Sequence, residues 1–494
     1  MSNSTTPTSS IGKKVATNAG WNYLAFGLSK GINIVAFSII AHLLTPELYG
    51  LFALATPAID YLSILNDFGL GAALIHRRED IDEASNTAFT LNIIIGMILT
   101  GIVIGIAPLV ATFFHEPAVK PILGWLGVTF TINAFGSIHR ARLQRSLQFG
   151  RNIIPELGNT LVKNGIAIWL AVKGYGAWSL VYGQLAGALT SSILLWVVVP
   201  WIPKIVFDLS MVKQLFNYGF SIMADGAMTT VADSFDYIVI GRLYDKAALG
   251  IYQIAYRLPE LLVIQTLSIL AAVFFPAFSS IQHQMDELRK NFLITLKYVQ
   301  LLITPICIGM AIAAEPIVYA LLGEQWSESI SIMRILCIYA LILSIGFHSG
   351  DVFKAIGRPD ILVKIAIPVF FIRLASVWIG AQYSLIGIAF GHLAASILEL
   401  IIRTMVTVKV MKVSLTKIVK QLSAFIGGIV LAASAIPVLY ITKDLASWIR
   451  LAATVAAGAL GYTATIWYIE RSSLLKILEI TGFSRFRRTE KGHG

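Results

Sequence analysis

The sequence predicts an all-α polytopic membrane protein: about fourteen transmembrane helices, forming two pseudo-symmetric six-helix bundles plus two extra C-terminal helices. Three observations carry that expectation. Only 13% of the residues are charged, about half the ~25% usual in a soluble domain, and mean hydropathy is +0.76. The missing charge is concentrated in long uncharged runs, 84–114, 174–203 and 421–442. Each exceeds the roughly 20 residues that a helix needs to cross a hydrocarbon core of about 30 Å. Membrane-barrel strands are short and strictly alternating, which these runs are not. The third observation is the placement of the basic residues.

Taken in order, residues 1–18 are rich in Ser and Thr, with Lys13 and Lys14 just ahead of the first apolar stretch. That stretch runs past Leu43 without the short apolar core and small-residue cleavage site of a secretory signal, so it reads as following a retained cytoplasmic tail. Spans are expected at 19–43, 47–75, 84–114, 121–139, 152–172 and 175–201, a first bundle over 19–201. A second bundle, 212–408, follows with spans at 212–241, 247–276, 291–313, 326–350, 361–380 and 384–405. Spans 420–441 and 447–469 lie in a terminal pair, 417–470, and 471–494 is a basic cytoplasmic tail. Turn signals such as Thr45-Pro46, Lys173-Gly174 and Gly357-Arg358-Pro359 separate the spans. The longest outer loop, 314–325, is too short to hold a soluble catalytic domain.

With the N-terminus inside, 25 of the 38 basic residues fall on inner segments and five on outer loops: Lys120, Lys173, Arg242, Lys246 and Lys443. The remaining eight lie within spans. Such a bias is what the positive-inside rule predicts for an even number of spans with both termini cytoplasmic. Most of the net charge of +11 is therefore a topology signal, and no nucleic-acid partner is expected.

An internal repeat supports the duplication. Residues 41–76 align without gaps on 241–276, with identities at Leu43/Leu243, Gly50/Gly250, Ala55/Ala255, Leu62/Leu262, Ile64/Ile264, Leu70/Leu270 and Ala72/Ala272. A second match pairs Tyr175…Gly183-Gln184-Leu185-Ala186 with Tyr383…Gly391-His392-Leu393-Ala394. Six spans per half leaves the halves in the same orientation, which implies a pseudo-two-fold axis along the membrane normal and a substrate path between them.

Several of these stretches carry a family likeness. Leu44-Thr45-Pro46-Glu47-Leu48-Tyr49-Gly50, with Asp67-Phe68-Gly69-Leu70-Gly71-Ala72-Ala73-Leu74-Ile75, resembles the second-helix signature of polysaccharide flippases. Gln144-Arg145-Ser146-Leu147-Gln148-Phe149, the run from Gly174 to Gln184, and Gly241-Arg242-Leu243-Tyr244 through Tyr252 resemble the same family. Together they are similar to Wzx-type O-antigen and exopolysaccharide flippases, in their colanic-acid-like branch, within the multidrug/oligosaccharidyl-lipid/polysaccharide exporter superfamily. The resemblance implies alternating access between two six-helix bundles in a bacterial inner membrane. It implies a cargo of oligosaccharide on an undecaprenyl pyrophosphate carrier, and a polysaccharide polymerase and chain-length machinery as partners.

Charges within the spans are the candidate site residues, because an ionisable group at mid-bilayer costs roughly 2.5–3.5 kcal/mol on insertion scales and normally faces a cavity or a partner. Lys30, Arg257 and Arg373, then Lys163 and Arg334, are the cations expected to meet a pyrophosphate or acidic sugars. Arg257 has Glu260 one turn away, so a local ion pair competes with a ligand contact; Lys297 reads as reaching to the inner surface. Asp225, Asp233 and Asp236 fall near one face of the seventh span, and Asp60 with Asp67 on one face of the second. Clustered carboxylates raise one another's pKa and can carry a proton or sodium ion. The competing readings are an end cap for Asp67 and a basic partner, such as Arg242, for Asp236.

Other features point elsewhere. Cys307 and Cys337 have no metal-ligand partner at a useful spacing. His42, His139, His348 and His392 form no metal motif, and no cofactor is expected. Trp21, Tyr23, Trp178, Trp201, Trp326, Trp378 and Trp448 read as interface anchors. The rival transporters are a drug/cation antiporter of the same superfamily and a peptidoglycan-precursor flippase. A membrane glycan polymerase, ligase or glycosyltransferase is disfavoured, since no loop carries a paired-carboxylate or nucleophile constellation.

Overall fold

A computed structural model describes residues 27–66, 69–77, 79–146, 149–214, 231 and 234–471. Their regular structure is all helical, with no strand among the described residues. Ten helices are long and apolar enough to cross a membrane: Ile81–Phe113, Val119–Arg145, Ala177–Val198, Lys246–Ser280, Met285–Ile312, Ser329–Ala355, Pro359–Ala381, Leu385–Met411, Ala424–Ile441 and Ser447–Ile469. The chain is a multi-pass membrane protein, and each of these follows an expected span to within several residues.

The chain divides into two compact units, Met1–Gln253 and Ile254–Gly494. The first contains α1 (Gly27–Leu43), α2 (Pro46–Ser63), α3 (Leu70–His76), α4 (Ile81–Phe113), α5 (Val119–Arg145), α6 (Phe149–Val172), α7 (Ala177–Val198), α8 (234–243) and most of α9 (Lys246–Pro259). The expected span 47–75 is not one helix: α2 stops at Ser63, and α3 starts after Gly69, whose φ of 69° no continuing helix adopts. The α6 helix is less apolar than these ten, carrying Arg151, Glu156 and Lys163. Most of the expected span 212–241 lies outside the described residues, as do Asp67, Asp225, Asp233, Trp21 and Tyr23.

The second unit begins with the end of α9, a π-helical turn (Glu260–Ile264) and α10 (Gln265–Ser280). It continues with α11 (Met285–Ile312), α12 (Ala314–Leu321), a 3-10 turn (Glu324–Trp326), α13 (Ser329–Phe347), α14 (Ser349–Ala355), α15 (Pro359–Ala381), α16 (Leu385–Met411), α17 (Leu415–Val419), α18 (Ala424–Ile441) and α19 (Ser447–Ile469). The outer loop 314–325 is thus mostly helical. Trp326 at its end is 0% exposed, a core residue and not the expected interface anchor, whereas Trp378 and Trp448 are exposed.

With lipid as solvent, helices gain little from apolar burial and associate instead through close backbone approach at small residues. Repeat-matched glycines do this in both units. A Cβ on Gly183 of α7 would lie 2.7 Å from the Lys163 carbonyl oxygen of α6, and one on Gly391 of α16 would collide with the Ser376 carbonyl of α15. Gly183→Leu therefore forces the α6–α7 hairpin apart, and overpacking of this kind costs about 1–3 kcal/mol. The expected result is a lower yield of monodisperse protein in detergent, measured by fluorescence-detected size exclusion; wild-type yield and melting temperature would refute the packing role.

Candidate functional site

In the first unit a polar seam joins α1 to α6. Ser29 Oγ meets Thr160 Oγ1 at 2.9 Å, and Asn164 Nδ2 donates to Asn33 Oδ1 at 3.0 Å. Both contacts repeat after four residues on each helix, so they stack one turn apart. Lys30 and Lys163, both half-buried, each neighbour a seam residue, and so stand on the two helices that the seam holds in register. The backbone and Cβ of Lys163 are packed against Gly183 and Gly187 of α7.

Of the acids, Asp60 is half-buried on α2 and Asp236 is 2% exposed on α8. The Asp236 carboxylate accepts from the Tyr237 backbone N–H at 2.9 Å. Next to Asp60, Tyr61 points its hydroxyl at the Val231 carbonyl at 3.5 Å, the long limit of a hydrogen bond.

One end of this unit carries a cationic cup of about 320 Å³, lined by Arg142, Ser146, Arg151, Pro200 and Trp201 among others. Arg142 lies 4.6 Å from the Trp201 ring centroid and donates to Asp82 at 2.7 Å and Ser85 at 3.2 Å. His139 stacks on Trp196 at 4.6 Å and bonds the Trp201 backbone carbonyl at 3.1 Å, which ties that stretch of main chain to α5. Burial holds the imidazole in a largely apolar, aromatic setting between Phe89, Trp196 and Trp201. Two guanidinium groups above an apolar wall suit an anionic headgroup.

Beside the opposite ends of α5 and α7, α2 and the first turn of α9 meet backbone to backbone. A Cβ on Gly50 would run into the Lys246 carbonyl, and one on Gly250 into the Pro46 carbonyl. The four positions are related by the 200-residue offset of the sequence repeat, so the contact is reciprocal. Beside it, Lys246 Nζ pairs with Glu116 at 2.9 Å, and Arg242 reaches His115 at 3.3 Å while lying 5.5 Å from the Phe113 ring centroid.

In the second unit the Arg373 Nη2 on α15 donates to the Tyr339 hydroxyl on α13 at 2.7 Å, with its guanidinium carbon 6.0 Å from that ring's centroid. Tyr339 is buried, with His392 at 5.5 Å and Tyr256 at 6.5 Å between ring centroids. Arg257 pairs with Glu260 at 3.0 Å, the local partner its spacing allows, and Gln265 also donates to that carboxylate at 3.2 Å. The π turn between Glu260 and Ile264 is what brings Gln265 to it. Such turns interrupt helices frequently at functional sites. Arg334 is exposed on α13 and makes no ion pair among the described residues. Lys297 is paired with the Glu470 carboxylate, and Arg403 and Arg450 with Glu399 and Glu315 at 2.6 and 2.8 Å. Sequence spacing could not bring out Tyr339, Tyr256 or the cup residues, which reach their partners only across helices.

The chain matches the polysaccharide biosynthesis protein family over residues 39–331. It is 27% identical to the teichuronic acid biosynthesis protein TuaB of Bacillus subtilis (strain 168), covering 92% of this chain and 95% of that one. Identity to the lipopolysaccharide biosynthesis protein WzxC of Escherichia coli (strain K12) is 25%, covering 81% and 82%. Identity to the succinoglycan biosynthesis transport protein ExoT of Rhizobium meliloti (strain 1021) is 24%, covering 97% and 98%. Among solved structures, the fold is shared with the lipid II flippase MurJ in an inward closed conformation, at TM-score 0.69 and 17% identity over 92% of this chain and 99% of that one. It is shared also with an inward-facing multidrug resistance MATE family transporter of the MOP superfamily, at TM-score 0.64 and 17% identity over 78% and 96%. Since the family match spans more than half of the 494 residues, the chain belongs to the polysaccharide biosynthesis protein family.

Proposed function

We propose that this protein is a flippase that moves an undecaprenyl-pyrophosphate-linked oligosaccharide repeat unit from the cytoplasmic to the periplasmic leaflet by alternating access, for surface polysaccharide biosynthesis. The family match carries the reading, together with relatives named for teichuronic acid, lipopolysaccharide and succinoglycan biosynthesis. A fold shared with a lipid II flippase is consistent with a lipid-linked cargo. The MATE likeness supports the antiporter alternative by fold alone.

In this reading the chain spans a bacterial inner membrane fourteen times in a 6+6+2 layout, with both termini cytoplasmic, as the basic-residue bias favours. Lys30 and Lys163 in the first bundle, and Arg257, Arg334 and Arg373 in the second, compensate the pyrophosphate and any acidic sugars during passage. Asp60, Asp225, Asp233 and Asp236 are the candidates for coupling to a proton or sodium gradient. A polymerase and chain-length machinery take up the flipped units.

Deletion of the gene tests the class of activity. Complete lipid-linked repeat units are expected to accumulate in the cytoplasmic leaflet while surface glycan is lost. Truncated units, or complete units reaching the periplasm unpolymerised, would place the protein in assembly chemistry and overturn the reading.

A further inference from the structure

The α13–α14 junction in the second unit carries a buried ionisable pair that no cargo cation uses. His348 is 4% exposed and Asp351 7%, and Nδ1 of the imidazole lies 2.8 Å from a carboxylate oxygen of Asp351. Around them the packing is apolar: the Phe274 ring lies edge-on at 5.0 Å, and Phe278, Leu288, Phe292 and Val352 form the adjoining core. A histidine–carboxylate pair in such surroundings is expensive, and a phenylalanine or leucine would fill the space without desolvating a charge. Intramembrane ionisable groups of this kind mark functional sites by default.

The chemistry of the pair is specific. An ionised Asp351 accepts from Nδ1–H, which fixes the neutral imidazole in that tautomer and leaves Nε2 as a lone-pair acceptor. Nε2 is buried and has no hydrogen-bond partner among the described residues. It is thus the basic atom of the pair, and a proton taken there converts a site of charge −1 into a neutral imidazolium–carboxylate pair.

The charged groups that face this site are few. From α16, Arg403 approaches the junction: its Cδ and Nη1 lie 3.2 and 3.7 Å from where Cβ atoms on Gly346 and Gly350 would stand, and its Nε is held by Glu399 at 2.6 Å. From α11 comes a neutral column, Thr304 on Gln300 at 3.4 Å and Gln300 on Ser344 at 3.0 Å, all 0% exposed. Ser344 is one helical turn before His348. The α10 helix presents no charged residue. On α15, Asp360 and Lys364 pair with each other at 3.3 Å. Lys354 on α14 is exposed. Protonation therefore changes the net charge buried at the α13–α14 junction, where the paired Arg403 of α16 passes close to Gly346 and Gly350. This is a proton-sensitive link between packed helices.

We infer that His348 and Asp351 form a proton-binding site that couples transport to a proton gradient. The inference rests on the flippase reading. One proton binds at Nε2 and the same proton is released; no covalent bond changes.

The test uses the full-length chain in proteoliposomes, with lipid-linked repeat units extracted from the host as cargo and a trapped pH dye. The readout is the steady-state ratio of cargo between leaflets. Driven by one proton per cargo across a one-unit pH gradient, wild type sustains up to about a tenfold asymmetry, since one pH unit and one decade of concentration are equivalent. His348→Gln and Asp351→Asn are expected to equilibrate cargo to a ratio near one. A purely structural role would slow the approach and leave the tenfold ratio intact, which would overturn the proposal; His348→Phe, which refills the apolar site, gives the same readout should the glutamine variant misfold. Wild type that equilibrates to one under a pH gradient, or responds to sodium alone, also overturns it while leaving the flippase standing. Wild type that moves no cargo under any gradient counts against the flippase itself.

Discussion

Gly50→Leu and Gly250→Leu are each expected to lower surface glycan export by about 10- to 100-fold without preventing membrane insertion. The two glycines let α2 and α9 touch main chain to main chain, and a Cβ at either collides with a carbonyl oxygen of the other helix. A flexible side-chain tip could swing away; a carbonyl in a helix cannot. Even ordinary overpacking costs about 1–3 kcal/mol, and each 1.4 kcal/mol is a factor of ten in a two-state population. In the proposed topology this crossing lies at the outer end of both helices, where the contact would help to hold a state closed on that side. Breaking it should depopulate that state, which the transporter must revisit in each cycle. The neighbouring Lys246–Glu116 pair is partly exposed, 35% and 23%, and such pairs contribute only about 0–1 kcal/mol. Glu116→Gln should therefore cost a few-fold at most. A membrane-impermeant maleimide on Thr45→Cys reads the closure directly: labelling should accelerate in the glycine variants and barely change with Glu116→Gln. Unchanged export and labelling in Gly50→Leu would remove the gate.

The reason this crossing escaped the sequence also explains what was legible. Gly50 and Gly250 stand out as repeat partners, yet a repeat states which positions correspond and not which positions touch. The spans were readable because a membrane helix announces itself by length and missing charge, and nearly all long apolar helices begin and end close to their expected limits. Breaks inside the apolar runs were not readable. The π turn at Glu260–Ile264, the stop after Ser63 and the junction at His348 leave composition unchanged. Charge partners divide the same way. Arg257 and Glu260 are three residues apart and their pairing follows from helix geometry. Lys297 meets Glu470 and Arg373 meets Tyr339 across 34 positions, beyond any local rule. His348 and Asp351 also have a helical spacing, but spacing alone does not tell a buried pair from a surface one.

Arg373→Ala is the second large effect expected, about 30-fold or more in export. Arg373 donates from one Nη to the hydroxyl of a buried tyrosine, which helps to set the plane of the guanidinium. A planar fork with fixed orientation matches the paired oxygens of a pyrophosphate, and an ammonium does not. Truncating one side of a desolvated, charge-assisted contact costs about 2–5 kcal/mol. Arg373→Lys keeps the charge and loses the fork, so it should recover only part of the loss. Tyr339→Phe removes the charge-assisted hydrogen bond from Arg373, about 1.5–3 kcal/mol for bonds to a charged group, but leaves the guanidinium in place, so it should cost less than the lysine variant. The order alanine, lysine, then the tyrosine variant distinguishes a cargo contact from a pin between α13 and α15. For a pin, Arg373→Met, which preserves the stem and its packing, would keep export near wild type, and Arg373→Ala would lower protein yield in step with export. Export normalised to the protein in the membrane separates the two. If Arg373→Met exports normally, the guanidinium is dispensable, only the packing of the stem matters, and the cationic path must run through Lys30 and Arg257 instead.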